Sequence, residues 1–248
     1  MIKFFRKIRQ KTLTENKFSK YLIYAIGEIF LVVIGIYLAI QFNNWNVENQ
    51  NKDITSNNIV LLITSLEKDS IAFNQIQISI EKDKARLSNF EFRLNQASSN
   101  LDTLVKIVRY EYKPFIGVLN FDNDNTYDAL VQSGEINLFN RELKNEVFTL
   151  YSLHKSAEET NNTHFKLYLD WVTRLNSKYP ANLSTYSEGP ISEAIWGNVT
   201  LIELANAFNP VITSKKNHYR LIGYDLKELI IETNNVLGKL KGAVKVSD

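Results

Sequence analysis

The feature that most constrains this chain is an apolar run from Tyr21 to Phe42, YLIYAIGEIFLVVIGIYLAIQF. As a helix it would extend roughly 33 Å, enough to cross a hydrocarbon core of about 30 Å. The run is too long for the apolar region of a typical signal peptide, and no small-x-small cleavage site follows it. We therefore predict a retained transmembrane helix, with a cleaved signal peptide or a buried soluble helix as alternatives.

Charge is distributed unevenly about this run. Residues 1–20 carry seven lysines and arginines and one acid, whereas residues 43–248 carry 22 basic and 25 acidic side chains. Basic residues beside a span remain in the cytoplasm. The pattern predicts a basic cytoplasmic arm (1–20), a single-pass helix (21–42) in the inner membrane, and a periplasmic domain (43–248).

Composition excludes several classes of function. The mildly acidic domain argues against a nucleic-acid partner, because binding phosphate requires a basic face. The absence of cysteine excludes disulfides, thiol catalysis and cysteine zinc sites.

Three residues inside the predicted span are candidates for a role there. Glu28 places a carboxyl group in the bilayer, which is costly and points either to function or to a side chain that reaches the headgroups near Lys20. Gly35 and Ala39 form a small-xxx-small pair that would let two spans pack closely.

Two stretches resemble a known family. MIKFFRKIRQ and ENKFSKYLIYAIGEIFLVVIGIYLAIQFNNWN are similar to the N-terminus of an uncharacterised family of single-pass membrane proteins from Bacteroidota, a domain of unknown function. TYDALVQSGEINLFNRELKNEVFTLY, Thr126 to Tyr151, resembles that family's second recurring block. The resemblance implies single-pass topology and no particular activity.

Heptad spacing of apolar residues begins at Asn58 and predicts a helix of about 40 residues. Trp45 to Lys52 contains no helix breaker, so this helix is compatible with continuation from the span or with a hinge at Asn43–Asn44. Cap-type residues at Ser98 to Thr103 end it. The two series that form its apolar stripe are Ile59, Leu66, Phe73, Ile80, Leu87 and Leu94, and Leu62, Asp69, Ile76, Asp83, Phe90 and Ala97.

The remaining chain reads as further helices separated by breakers, and no run alternates as a strand would. We predict an all-α fold: one N-terminal transmembrane helix followed by an elongated antiparallel helical bundle. The predicted elements are a short helix from Leu101 to Tyr112, a helix capped by Asp124 or Asn125 and ended by Gly134, a long helix from Asn140 to Tyr179, a loop over residues 182–190, a helix from Ile191 to Phe208, a break at Asn209–Pro210, and a last helix from Ser214 to Leu240.

Polar residues interrupt both long apolar stripes. The stripe of the first long helix carries Asp69 and Asp83. The predicted long helix from Asn140 to Tyr179 has a second stripe in steps of four and three, which carries His154, Asn161 and His164: Leu143, Val147, Leu150, His154, Ala157, Asn161, His164, Tyr168, Trp171 and Leu175. In an antiparallel bundle such positions could face one another and hold a small solute or a metal such as zinc or iron. The favoured interpretation is that they fix helix register, with no metal or cofactor bound.

An acidic cluster, Asp122, Asp124 and Asp128, raises the question of calcium. Tyr127 stands where the calcium-loop template requires glycine, and Ser133 stands where it requires a bidentate glutamate. We therefore interpret this cluster as part of a helix cap, formed by Asp124 or Asn125.

No catalytic template is present, including the P-loop, HExxH and GxSxG. We expect an interaction or scaffold module rather than an enzyme, with the lipid bilayer and either a protein partner or a second copy as its partners. The alternative is a sensory domain that binds a small solute between helices and signals through a partner. A metal-dependent enzyme is a distant third hypothesis.

Overall fold

The computed structural model describes residues 18–117, 119, 121, 123–180 and 188–247. Residues 1–17 of the predicted arm (1–20) and most of the predicted loop at 182–190 lie outside them. Within these ranges the chain is helical and contains no strand, which confirms the all-α class. A π-helical turn, Ile107–Glu111, extends the second helix, and a 3-10 turn, Glu135–Leu138, follows the third. The helices are α1 (Phe18–Leu94), α2 (Leu101–Lys106), α3 (Asn125–Ser133), α4 (Arg141–Lys178), α5 (Pro190–Gly197) and α6 (Leu201–Ser247).

The chain divides into two units, one ending at Thr55 and one beginning at Ser56. The first unit contains the beginning of α1, which is helical through Asn43–Asn44 without a break. Its most apolar 18-residue window has a mean hydropathy of 2.4, and none of that window is buried. Among the described residues, α1 is the one helix long and apolar enough to cross a membrane.

Three long helices build the second unit. Lys241 pairs with Glu67 (2.6 Å) and Lys216 with Glu91 (2.5 Å), so α6 runs antiparallel to α1. The Lys239–Glu146 pair lies near the start of α4 and the end of α6, so α6 also runs antiparallel to α4. These contacts confirm an antiparallel bundle in which α1 and α4 share one direction.

Apolar side chains on the inner faces of these helices form two separate cores. The predicted stripe of α1 is buried at Leu62, Leu66, Phe73 and Ile80. One core is nearer Ser56 and contains Ile59, Leu62, Leu66, Leu130, Val147, Leu150, Val236 and Leu240. The larger core includes Phe73, Ile80, Leu87, Ile107, Ala157, Tyr168, Trp196, Phe208, Ile222 and Leu229.

Local signals set several helix ends where the sequence places them. The Asn140 side chain accepts a hydrogen bond from the Leu143 backbone N–H (2.8 Å) and begins α4. Gly134 follows α3 with φ of 77°, a left-handed conformation that glycine adopts without a steric penalty. Both predictions are confirmed.

The predicted break at Asn209–Pro210 is wrong. Helix α6 passes through Pro210, and the break lies earlier, between α5 and α6. There the Thr200 hydroxyl oxygen accepts the Glu203 backbone N–H and its proton is donated to the Glu203 carboxylate (2.7 Å), so Thr200 caps α6. Proline costs a helix one hydrogen bond, and the burial of Phe208 and Val211 on either side offsets that cost.

Candidate functional site

A layer of buried polar residues separates the two cores. Each long helix contributes one residue to it: Asp69 from α1, His154 from α4 and Thr233 from α6, each 1% exposed or less. On each of these helices, the buried residues before the polar residue belong to one core and the buried residues after it belong to the other core. A hydrogen bond from Ser70 to Asn234 (3.1 Å) links α1 and α6 at this level.

The segment before α3 completes this layer. Asn123 donates its side-chain amide to Asp69 Oδ1 (2.6 Å), and its carbonyl accepts the Ser65 hydroxyl (2.6 Å). The next residue, Asp124, places Oδ1 3.0 Å from His154 Nδ1. Two residues of an irregular segment thus bind side chains of α1 and α4, and we refer to Asp69, Asp124 and His154 as the polar triad.

The structure corrects the predicted role of Asp124. It stands at the N-cap position of α3, but its side chain makes no capping hydrogen bond and its backbone is helical rather than extended. A capping side chain must turn towards the following backbone N–H groups. The carboxylate contacts His154 instead, so the prediction that the Asp124 side chain caps α3 is wrong. Asp122 of the same acidic cluster lies outside the described residues.

Several polar atoms of this layer lack hydrogen-bond partners among the described residues. They include Asp69 Oδ2, His154 Nε2 and Thr233 Oγ1, all of them buried. The Tyr151 hydroxyl is also buried there; it interacts with Ser65 without reaching good hydrogen-bond geometry. Such atoms are rare in folded proteins because an unpaired buried polar group costs roughly 1–3 kcal/mol.

Aromatic rings surround the imidazole and reduce its contact with water. The rings of Tyr151, Phe121 and Phe73 have centroids 4.8, 5.0 and 5.7 Å from that of His154. Burial in this environment raises the pKa of Asp69, while the Asn123 hydrogen bond and then His154 oppose that rise. The same burial, aided by Asp124 and Asp69, raises the pKa of Tyr151. The layer therefore disfavours an isolated negative charge.

Asp83 belongs to a different cluster. Its carboxylate lies 2.6 Å from Lys215 Nζ, accepts the Tyr219 hydroxyl (2.7 Å) and pairs with Arg86 (2.5 Å). Lys215 is fully buried and also donates to the backbone carbonyls of Lys113 (2.9 Å) and Phe115 (3.1 Å). Burial lowers the pKa of Lys215, and the contact with Asp83 opposes that change.

Tyrosine side chains enclose this ion pair. The hydroxyls of Tyr112 and Tyr168 lie 2.7 Å apart, and Tyr168 donates to the Pro114 carbonyl (2.5 Å). The Lys215 ammonium lies 5.0 Å from the centroid of the Tyr112 ring, within range of a cation–π attraction. We refer to Asp83, Lys215, Tyr219, Tyr112 and Tyr168 as the paired cluster, because its charges and hydroxyls have partners.

The five candidates from the bundle therefore do not converge on one site. Asp69 and His154 meet in the polar triad, whereas Asp83 lies in the paired cluster. Asn161 is fully buried and accepts the Leu119 backbone N–H at 3.4 Å, and His164 is only half-buried. The three candidates of the span, Glu28, Gly35 and Ala39, lie on the exposed surface of α1 in the first unit.

Sequence reasoning missed Lys215, His218 and Thr233, all fully buried on α6. A signal was available, because Val211, Lys215, Tyr219, Ile222 and Leu226 follow one another in steps of three and four. That series begins before Ser214, where the predicted last helix starts. The predicted break at Asn209–Pro210 therefore excluded its first member from the helix.

Comparisons with protein-family models, with curated proteins and with solved structures find no match. The inferences that follow therefore depend on the geometry of this chain.

Proposed function

We propose that this protein is a single-pass membrane protein whose bundle is an extracytoplasmic interaction module without catalytic activity. The membrane part of the proposal is supported by the unburied apolar beginning of α1 and by the basic residues that precede it. That charge asymmetry favours a cytoplasmic N-terminus and a periplasmic bundle in the inner membrane.

One observation supports docking. The outer face of α1 carries an exposed stripe in strict heptad spacing, which we call the outer stripe: Thr64, Ile71, Ile78, Ala85 and Phe92. Ile71, Ile78 and Phe92 are 60%, 55% and 66% exposed. In a coiled coil a second helix packs against two apolar series, a and d, and the outer stripe supplies one such series. The bundle does not cover this stripe with its own described helices.

We favour a helix of another envelope protein as the occupant of the outer stripe. A second copy of this chain is the alternative occupant. A photo-crosslinking amino acid at Ile78, installed in the full-length protein in native membranes, tests this directly. We expect a discrete adduct from Ile78 and none from a matched position at Glu158, which is exposed on α4. Adducts of equal yield at both positions, or at neither, would contradict docking through the outer stripe.

The orientation of the protein in the membrane is tested separately by cysteine labelling. Because the sequence contains no cysteine, an introduced cysteine is the one thiol that can react. A single Glu158→Cys variant should react with a membrane-impermeant maleimide applied from the periplasmic side, and a Lys11→Cys variant should not. The reverse pattern would overturn the proposed topology.

A groove favours the second candidate function, a sensory domain for a small anionic solute. It measures about 490 Å³, lies between α1 and α6, and has Glu81 and Glu91 among its walls. Among the described residues, Arg220 and Lys227 in this groove have no ion-pair partner, so they can attract an anion. Its basic lining residues are Lys84, Lys216, Arg220 and Lys227.

A thermal-shift screen of the full-length protein with small organic and inorganic anions tests this candidate. We expect a stabilising anion whose effect disappears in Arg220→Ala. A shift that survives this substitution would place the ligand elsewhere.

A further inference from the structure

The polar triad has the composition of a transition-metal site. It combines one imidazole with two carboxylates, Asp69 and Asp124. Imidazole nitrogen is a ligand that zinc and its neighbours accept readily, whereas calcium and magnesium prefer oxygen throughout. With a neutral imidazole the triad carries two negative charges, which one divalent ion would balance.

The spacing of the triad is close to that of ligands around one ion. One ligand atom from each residue lies within 4.8 Å of the others. Tetrahedral zinc with bonds of about 2.1 Å holds its ligands roughly 3.4 Å apart. Asp124 Oδ1 and His154 Nδ1, at 3.0 Å, are already within that spacing. Asp69 would need to approach by at most about 1.4 Å, the difference between 4.8 and 3.4 Å, and Asp124, on an irregular segment, can follow.

A second observation points independently to a ligand. Asp69 Oδ2 and His154 Nε2 have no hydrogen-bond partners among the described residues, although Asp69 is 1% and His154 0% exposed. A carboxylate and an imidazole buried only to fix helix register would be expected to pair fully, as Asp83 does. In the triad, Asp69 Oδ2 is thus a buried carboxylate oxygen whose lone pairs are unused. His154 would bind the ion through Nδ1, which faces Asp124, and would carry its proton on Nε2.

Neighbouring groups hold these ligands as outer partners do in metal sites. The Asn123 amide fixes Asp69 Oδ1, and the Ser65 hydroxyl fixes the carbonyl of Asn123. Such hydrogen bonds orient ligating carboxylates and are a regular part of metal centres. Asp124, whose side chain is 27% exposed, gives an ion a route to the site.

We propose that Asp69, Asp124 and His154 bind one divalent transition-metal ion of the zinc class. The ion fastens the segment before α3 to α1 and α4 at the level between the two cores. It stabilises the bundle, because a ligand that binds only the folded state shifts the unfolding equilibrium by mass action. This site is separate from the outer stripe and from the span, so its loss leaves docking and topology unchanged.

The test uses the full-length protein in detergent, stripped with a chelator and then dialysed against Zn²⁺ or Co²⁺. We expect one tightly bound Zn²⁺ per chain by atomic emission, a raised unfolding temperature, and visible Co²⁺ absorption of the intensity typical of tetrahedral coordination. Asp69→Asn and His154→Gln should each weaken binding at least about 100-fold. Asp128→Asn, an exposed aspartate one turn beyond Asp124, is the matched control and should bind as the parent does.

Two results would overturn the proposal. The first is a parent protein that retains no stoichiometric Zn²⁺ after dialysis. The second is binding that persists when Asp69→Asn and His154→Gln are combined. Circular dichroism checks that each variant is folded, and if the His154 variant is not, Asp124→Asn at the partly exposed ligand provides the same comparison.

Discussion

The polar triad and the paired cluster lie in the same bundle, about four turns of α4 apart, yet their buried charges differ in how completely they are paired. In the paired cluster, Asp83 has three partners and Lys215 has an anion and two carbonyls. In the triad, Asp69 has one hydrogen bond for two oxygens, and His154 leaves a nitrogen unpaired.

This difference separates two reasons for burying a polar group. A buried ion pair with complete hydrogen bonding specifies which helices meet and at what register, but adds little net stability over apolar residues. An incompletely paired set costs free energy in the isolated chain, and folded proteins keep such sets chiefly where a ligand or a function uses them. The paired cluster therefore has a structural role, and the triad is the candidate for binding.

The largest expected effect comes from breaking the paired cluster. Asp83→Asn leaves the Lys215 ammonium buried without its anion, and we expect the free energy of unfolding to fall by about 3–5 kcal/mol. Urea unfolding of the full-length protein, followed by tryptophan fluorescence, measures it. The control is Asp83→Leu combined with Lys215→Met, which removes both charges and should cost far less. A double variant as unstable as the single one would show that the pair is not the cause.

A smaller effect concerns pH. His218 is buried next to the paired cluster, and its pKa is lowered from 6.5 to about 4, mainly by burial and further by His164 and Lys215. Between these two values the unfolded chain binds a proton that the folded chain does not. The contribution is therefore complete above about pH 6.5 and is lost as the pH falls towards 4, by about 3 kcal/mol in all.

Urea unfolding at pH 7, 5.5 and 4.5 measures this dependence. His218→Leu should lose much less stability than the parent on acidification. His164→Gln removes only a secondary cause of the lowered pKa of His218, so its loss should be slightly smaller than that of the parent. Equal pH dependence in the parent and in His218→Leu would contradict the assignment.

A matched pair of hydroxyl deletions compares the two regions directly. Tyr168→Phe removes a hydroxyl that binds both Tyr112 and the Pro114 carbonyl, and should cost about 1–2 kcal/mol. Tyr151→Phe removes a buried hydroxyl without a well-formed hydrogen bond and should leave stability unchanged or raise it by about 1 kcal/mol. Thermal unfolding in metal-free buffer measures both. Equal losses would mean that the two clusters are equally well paired.

How much of this the sequence predicts depends on the range of the interactions. The stripe of α1, the cap at Asn140 and the glycine at Gly134 are visible because local spacing and local hydrogen bonds determine them. The burial of Asp69 and His154 follows from their positions on these stripes. The separation of Asp69 from Asp83 also follows, because 14 residues of one helix extend about 21 Å. The level at which His154 lies, and the residue of α6 opposite each aspartate, do not follow, since they depend on the register between the helices: that residue is Lys215 at one level and Thr233 at the other.

The role of Asp124 shows the same limit at a helix end. An aspartate before a helix favours capping on local grounds, and only the position of His154, 30 residues later on α4, gives its carboxylate a different partner. At Pro210 the local signal predicted a helix end that the structure does not contain. Its local preference favours a break, and the burial of its neighbours in the bundle overrides it.

The smallest expected effect comes from making in the polar triad the same Asp-to-Asn substitution as in the first prediction. Asp69→Asn keeps an oxygen to accept the Asn123 amide and removes a carboxyl group that its surroundings disfavour as a charge. In metal-free buffer we therefore expect stability to be unchanged or to rise by about 1 kcal/mol, where the same substitution at Asp83 lowers it severely. Adding Zn²⁺ should then reverse the order, because the parent gains stability from binding and Asp69→Asn does not. If Asp69→Asn proved as damaging as Asp83→Asn in metal-free buffer, the triad would be a second structural pairing and the contrast between the two regions would disappear.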